Sequence, residues 1–227
     1  DSTEVNIPLL EKRDVKNKLL IMITPERGLA GALIGNINRK VLGSINNSKE
    51  PYKVLSIGKK GSRFLASRGF EIIDQIVIND RPELSDTLNV SELAIDGFIK
   101  ENWDQVDIAF SEYISTTSQK PTIRTVLPIT SDEESDVNSN VDYIYEPSSQ
   151  EVLREIIPKY IRSQIFQSVL EAFASEHSAR MVAMQNATDN ANELIDILTL
   201  DLNKARQETI TAELLDLIGG ISALEER

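Results

Sequence analysis

The carboxyl-terminal third of the chain limits the fold more than any other feature, because no proline or glycine lies between Lys159 and Ile218. Nothing in this segment forces a helix to stop. At 1.5 Å per residue, a helix of about 60 residues spans about 90 Å, which exceeds the size of a compact domain of this length. From Glu151 onward, the sequence therefore predicts one long helix that projects from a globular body.

An apolar stripe with a seven-residue repeat follows this predicted helix. The repeat consists of Met184, Ala191, Leu198, Ala205 and Ala212, and the positions between them are filled by Ala187, Leu194, Ile195 and Leu202. Such a repeat is typical of a coiled-coil seam, and its alanines favour a closely packed partner helix. Residues 185–193 are polar on every face except at Ala187 and Ala191, so this part of the helix cannot lie inside a hydrophobic core.

The preceding part of the chain alternates between strand and helix patterns. Residues 18–24 form a continuous apolar run, which is typical of a strand buried on both faces of a parallel sheet. Helices are predicted at 31–42, 62–67 and 90–103, and further strands at 52–57, 70–78, 106–113, 122–127 and 141–145. This alternation predicts an α/β fold: a Rossmann-like layered domain with a mostly parallel sheet.

Three segments follow from these patterns. Residues 1–17 are a polar lead-in, residues 18–147 form the α/β domain, and residues 148–227 form the long helix, in which Pro158 is a potential bend. We expect this helix to be half of an antiparallel coiled coil.

Composition excludes several classes of function. The 227 residues carry a formal net charge of −12, which argues against nucleic acid as a partner. There is no cysteine, so disulfides and thiolate metal sites are excluded. No apolar run approaches the length of a membrane span, so direct membrane insertion is not expected.

Motifs for chemistry are weak. The turn after the first strand has Gly28 and Gly31 but lacks the dinucleotide-binding glycine pattern. The turn from Gly58 to Gly61 could hold an anion at a helix start, although a solvated basic turn is the simpler interpretation. His177 is the only histidine and makes neither a metal site nor a triad. We predict no catalytic, cofactor-binding or metal-binding residue.

The far end of the helix combines two kinds of side chain. Four polar residues fall within two turns: Arg206, Gln207, Thr211 and Glu213. An apolar tip follows, made of Leu214, Leu215, Leu217 and Ile218. These residues are either an ordinary solvated helix end or a tip whose polar ring binds loops of a partner.

Several stretches resemble one family. "ITAELLDLIGG" (residues 210–220), "ASEHSARMVAMQNATDNANELI" (174–195), "EPSSQEVL", "ERGLAGAL" and "IGKKGSRFLASRG" are similar to motifs of the gamma subunit of the F-type rotary ATP synthase. Glu26 and Ala32 stand where that family usually has Asp and Gly. Family members begin with a long helix that pairs with the carboxyl-terminal one, whereas only 17 residues precede the first strand here. The resemblance implies that this helix is the missing partner of the seam and is absent from the sequence, because the sequence is a fragment or because the helix is supplied separately or lost.

The resemblance also implies a function. A non-catalytic central rotor shaft would couple an ion-driven ring to three catalytic nucleotide sites. Its expected partners are the alpha and beta subunits of the catalytic hexamer, an epsilon-type subunit and the membrane c-ring. It would be a peripheral protein on the cytoplasmic side of a bacterial membrane, or on the matrix or stroma side in an organelle. Arg206, Gln207, Thr211 and Glu213 would contact catalytic-subunit loops, and the tip would turn in an apolar sleeve.

Two other classes of function stay open on the sequence. A nucleotide-dependent α/β enzyme would require tight nucleotide binding by the isolated chain. A coiled-coil adaptor would self-associate through the seam.

Overall fold

The computed structural model describes residues 8–129 and 148–225. It contains two compact units, Asp1–Val182 and Ala183–Arg227. The elements in chain order are β1 (Lys18–Ile23), α1 (Leu33–Asn47), β2 (Tyr52–Ile57), α2 (Lys59–Ala66), β3 (Ile72–Ile76), α3 (Leu88–Ile99), β4 (Gln105–Ser115), β5 (Ser118–Leu127) and α4 (Ser149–Glu225). Short 3-10 helices occur at Pro8–Leu10 and Leu84–Thr87.

One five-stranded sheet organises the first unit. Its strand order is β3-β2-β1-β4-β5. The first four strands are parallel, and β5 returns antiparallel to β4 in a hairpin. The predicted α/β fold with a mostly parallel sheet is therefore confirmed, as is the long carboxyl-terminal helix.

Helices cover both faces of this sheet, which explains the unbroken apolar run in β1. On one face, Leu20 and Met22 pack with Ile37 of α1 and Leu65 of α2. On the other face, residues of β1 and β4 pack with α3 and with the first part of α4. Strands buried on both sides need apolar residues at successive positions rather than alternate ones.

The first part of α4 belongs to this core. Its buried residues recur every three or four positions, the spacing of one helix face, and are Ile157, Ile161, Ile165, Val169 and Ala172. At the helix start, the hydroxyl of Ser148 accepts a hydrogen bond from the amide of Glu151 at 3.2 Å. The helix continues through Pro158 without a break.

Arg13 fixes the described end of the lead-in, residues 8–17, to the domain. Its Nη2 donates hydrogen bonds to the carbonyls of Phe98 and Trp103, at 2.6 and 2.8 Å, and its Nε lies 2.8 Å from Oδ1 of Asp104. Asp104 also accepts hydrogen bonds from the amides of Lys16 and Asn17. Burial alone would raise the pKa of Asp104, but these amides and the guanidinium outweigh it and hold the pKa below its usual value.

Element ends differ from the sequence-based expectations for tertiary reasons. Helix α1 runs to Asn47 because Ile45 still packs against the core beside β2. Helix α3 stops at Ile99, and Trp103 folds back so that its indole Nε1 donates to the carbonyl of Ala94 at 2.9 Å. The strand predicted at 141–145 lies outside the described residues, and the division of the chain at residues 17 and 147 stays a prediction.

We expect the Asp104→Asn substitution to reduce the free energy of unfolding by about 2–4 kcal/mol at pH 7, because it removes a nearly buried anion that three donors surround. The loss should shrink as the pH falls below about 4, since a carboxylate with a lowered folded-state pKa stabilises only while it is ionised. Urea denaturation at pH 7 and pH 3 measures the loss of unfolding free energy at each pH. Asp96→Asn is the matched control, because Asp96 makes only an exposed pair with Lys100 at 3.8 Å. Equal losses for the two variants at pH 7 would contradict the stabilising role that we assign to the Asp104 carboxylate.

Candidate interaction surfaces on the long helix

The second unit presents an entire helix surface. Every side chain from residue 184 to residue 221 is exposed. Within the described residues of this unit, no salt bridge forms, so its charged groups retain their capacity to pair with a partner. Its threonine hydroxyls instead donate to carbonyls one turn back, as Thr199 does to Ile195 at 2.8 Å.

The predicted seam residues fall on one face of α4. Seven residues turn the helix about 20° short of two full turns, so Met184, Ala191, Leu198, Ala205 and Ala212 form a slowly winding stripe. Met184 is 39% exposed and Leu198 is 57% exposed. The structure thus brings the stripe together as a continuous exposed apolar surface.

The same repeat continues into the first unit, which the sequence reasoning did not recognise. Counting back from Met184 in steps of three and four residues gives exposed Met181, Leu170, Tyr160 and Ile156. His177 lies on this stripe as well. The spacing of these exposed apolar residues does indicate the stripe. In the sequence, however, they alternate with the apolar residues of the buried face of α4, which hide the pattern.

The four polar site residues form two pairs rather than one ring. At about 100° per residue, Arg206 and Glu213 share one face, whereas Gln207 and Thr211 share another that is turned by roughly 100° or more. The hydroxyl of Thr211 donates to the carbonyl of Gln207 at 2.8 Å, so toward a partner it offers its lone pairs as acceptors. Arg206 and Glu213 directly follow the seam residues Ala205 and Ala212, and therefore flank the seam.

The apolar tip faces away from the seam. Leu214, Leu217 and Ile218 lie on one face with the exposed Ile210 and Ile221. This face is turned by about 140° from the seam. Leu215 lies outside it, about 60° from the seam. Apart from Leu215, the tip and the seam are therefore separate surfaces.

A family model described as ATP synthase matches residues 1–224. The ATP synthase gamma chain of Dehalococcoides mccartyi strain CBDB1 is 44% identical over 224 residues, which cover 98% of this chain and 78% of the relative. The chain belongs to the ATP synthase gamma-chain family. The gamma chain of Roseiflexus sp. strain RS-1 is 45% identical over 223 residues, covering 96% of this chain and 77% of that one.

Solved structures share the fold of this gamma-chain family member. A chain of the Euglena gracilis mitochondrial ATP synthase, from an assembly described as OSCP/F1/c-ring, has a TM-score of 0.66 and 24% identity. The match covers 92% of this chain and 73% of that one. A chain from the central stalk and c-ring of the Tetrahymena thermophila mitochondrial ATP synthase has a TM-score of 0.61 and 23% identity, covering 78% and 79%.

The gamma-chain helix also carries two exposed apolar residues that the sequence reasoning missed. Ile197 and Leu200 are exposed, and Leu200 lies nearly opposite the seam. They do not fit the seven-residue repeat. Only this misfit could have indicated from the sequence that they form a further exposed apolar surface.

The crevice where doubly wound folds bind nucleotides is closed in this gamma-chain domain. Such ligands lie beyond the carboxyl ends of the strands, where the strand order reverses, here between β1 and β4. Helix α4 crosses this point, and Ser175 donates to the carbonyl of Ser111 at 2.7 Å. The cavity left beside Phe173 is only about 10 Å³. A dinucleotide does not fit there.

The turn before α2, for which an anion site was the less favoured interpretation, is also occupied by the protein itself. The hydroxyl of Thr24 accepts the amide of Gly61 at 2.9 Å. Gly58 has φ 92°, and a Cβ there would lie 1.8 Å from the carbonyl oxygen of Thr24. Among the described residues, no group of His, Asp or Glu side chains is arranged to hold a metal ion. No helix in the described part of the chain is both long and apolar enough to cross a membrane.

We expect amide hydrogen exchange in residues 184–221 to be at least about 100-fold faster than in residues 157–172, because an unpacked helix opens locally at little cost. Exchange followed by mass spectrometry on peptides from both halves of α4 measures this. Peptides from the buried strand β1 give the fully protected reference. Similar protection in both halves would show that the exposed surface is covered in the isolated chain.

Proposed function

We propose that this chain is the central rotor shaft of an ATP synthase, coupling rotation of an ion-driven ring to successive conformational changes at three catalytic nucleotide sites. The observation that carries the proposal is the fully exposed helix surface of residues 184–221, with separate apolar and polar faces, in a member of the gamma-chain family. A surface of this kind is suited to contacts with several partners at once.

The chain itself is non-catalytic in this proposal. Its partners are the alpha and beta subunits, an epsilon-type subunit and the c-ring, and these partners hold it as a peripheral protein at the membrane. The side is cytoplasmic in a bacterium and the matrix or stroma side in an organelle. Support comes from the similar structures, which are central-stalk, F1 and c-ring assemblies of ATP synthases.

A shaft acts by shifting populations. It can bias a catalytic site only if it contacts the alternative conformations of that site differently. Moving a two-state site from 1:99 to 99:1 requires about 5.5 kcal/mol of differential contact energy. The two polar pairs lie on different faces of α4, so at any rotation angle the surrounding subunits meet different groups.

The seam is proposed to bind a second, antiparallel helix. Alanines at 191, 205 and 212 permit close approach, and exposed Leu198 and Met184 provide apolar area to bury. In such a pair, Arg206 and Glu213 occupy flanking positions, whereas Gln207 and Thr211 face outward. The apolar tip, which faces away from the seam, is proposed to turn in an apolar sleeve.

We predict that joint Ala replacement of Arg206, Gln207 and Glu213 lowers coupled ATP turnover about tenfold or more, because each lost charge-assisted contact is worth about 1.5–3 kcal/mol. Turnover is measured in a complex assembled from the catalytic hexamer and a gamma chain carrying these residues. The control replaces Lys204 and Glu208 jointly by Ala. Both side chains are exposed on the same two turns, and removing one charge of each sign leaves the net charge unchanged. Unchanged turnover in the triple variant would refute the site assignment.

A second prediction isolates the seam. Leu198→Lys should destabilise the assembled complex by about 2 kcal/mol or more, because it places a charge in a buried helix pair. Leu200→Lys should have little effect, since Leu200 lies nearly opposite the seam and is 67% exposed. Thermal dissociation of the complex measures both variants. Equal destabilisation would place the partner helix elsewhere.

A further inference from the structure

Basic residues are concentrated in one part of this acidic chain. Residues 27–70 contain nine Lys or Arg residues and a single acidic residue, Glu50. Over the whole chain, 24 Lys and Arg residues stand against 36 Asp and Glu residues. At physiological ionic strength, salt screens surface charges from one another beyond about 8 Å, so a local surplus of charge decides what a surface attracts. This segment can therefore present a basic surface although the chain is acidic.

The fold places this segment largely on one side of the sheet. Helices α1 and α2 cover one face, whereas α3 and the first part of α4 cover the other. The sequences of α1 and α2 contain five basic residues and no acidic one. The sequence of α3 contains Glu92 and Asp96 and no basic residue, and α4 up to Val182 carries four residues of each sign. The two helical layers thus differ in charge.

Four basic side chains of the α1 and α2 layer are available to a ligand. Arg39 and Lys40 lie on α1, and Lys60 and Arg63 lie on α2. Lys60 is half-buried, and the other three are exposed. None of the four forms a salt bridge with a described residue. We call the outward side of α1 and α2 that carries these four residues the basic face.

The acidic side chains near the basic face do not neutralise it. Three of them pair with other lysines, at N–O distances of 3.0–3.5 Å: Glu26 with Lys59, Glu50 with Lys18, and Glu71 with Lys53.

Two further acids lie on neighbouring strands. Asp107, in the groove beside α1, is only 2% exposed, and its carboxylate accepts hydrogen bonds from the hydroxyls of Tyr52 and Thr125. Asp74 on β3 is exposed and has no lysine partner among the described residues. Four unpaired basic groups against this one exposed acid leave the basic face with a surplus of positive charge.

The basic face offers charge without apolar contacts. No large apolar side chain is exposed on α1 or α2, both of which the structure describes in full. Protein interfaces are centred on buried apolar and aromatic anchors, so this surface is poorly suited to binding a protein. The headgroups of an anionic membrane need no such anchor, because each Lys or Arg near the membrane surface strengthens binding roughly fivefold through charge alone.

We propose that the basic face binds the surface of a membrane that contains anionic phospholipids. The guanidinium groups of Arg39 and Arg63 donate hydrogen bonds to lipid phosphates, and Lys40 and Lys60 contribute point charges. The contact stays at the level of the headgroups, because the face has no apolar side chain to bury. It goes beyond the proposed function, in which only partner subunits hold the chain at the membrane.

Sedimentation of the whole chain with lipid vesicles tests this contact. Vesicles that contain anionic phosphatidylglycerol in phosphatidylcholine are compared with vesicles of phosphatidylcholine alone. We expect the binding constant to be about tenfold or more higher for the anionic vesicles. The difference should disappear in about 1 M salt, where the screening length falls to about 3 Å.

Two double variants locate the contact on the chain. One replaces both basic residues of α1, by Arg39→Gln and Lys40→Gln, and the other replaces two of α2, by Lys60→Gln and Arg63→Gln. Each should lower the binding constant for anionic vesicles about tenfold or more, because two charges are lost near the membrane surface.

The matched control combines Lys100→Gln and Lys120→Gln. It removes the same amount of charge from exposed positions outside α1 and α2. We expect it to bind anionic vesicles almost as tightly as the unmodified chain.

Three outcomes would overturn the proposal. Equal losses in the control and in the two variants would show that only the net charge of the chain matters. Equal binding to neutral and anionic vesicles would exclude a role for anionic lipid. Tighter binding of duplex DNA or of poly-glutamate than of anionic vesicles, at the same concentration of charge, would assign the basic face to a nucleic acid or to an acidic protein instead.

Discussion

The close packing of α4 against β4 is the constraint on which the rest of the first unit depends. Ser168 and Ser175 are buried on the face of α4 that packs into the core of the first unit. The hydrogen bond from Ser175 to the carbonyl of Ser111 fixes the rotation of the helix in this region. That rotation decides which apolar residues enter the core, such as Ile161 and Ile165, and which remain on the exposed stripe, such as Leu170 and Met181. A helix rotated by half a turn would bury the stripe and remove it from the exposed surface.

The packing of α4 also explains why this doubly wound domain has no open nucleotide-binding crevice at the reversal point of its strand order. In doubly wound domains, the reversal point of the strand order and the following helix starts bind phosphates. Here α4 covers the reversal point, and the hydroxyl of Thr24 takes the amide of Gly61 that a phosphate would use. Both positions are filled by side chains of the chain itself. What stays open is the pocket beside them, which is lined by side chains of both charges, acidic Glu26, Asp80 and Glu176 and basic Arg27 and Arg180.

Periodicity made much of this structure predictable, and tertiary contacts account for the rest. The unbroken apolar run of β1 and the seven-residue repeat from Met184 onward each report a local environment, so the doubly covered strand and the exposed seam follow from the sequence. The end of α1 did not follow, because the turn-forming residues before Asn47 stay helical only where Ile45 packs on the core. The ion pair of Glu26 with Lys59, at 3.1 Å between Oε2 and Nζ, could not be predicted either, because it joins the turn after β1 to the start of α2.

The exposed half of α4 also sets a mechanical requirement. A helix whose side chains are all solvated draws no stability from tertiary packing, and such helices open readily at their ends. A rotating shaft must resist bending and unwinding while it presses on its surroundings. The proposed pairing along the seam would supply this resistance, because each side chain buried between two helices adds packing that a single helix lacks. The apolar tip and the outward pair of Gln207 and Thr211 lie away from the seam, so they remain available to other subunits after the pair has formed. In the proposed function, the separation of these faces would allow one helix to be stiffened by its partner helix and still contact other subunits.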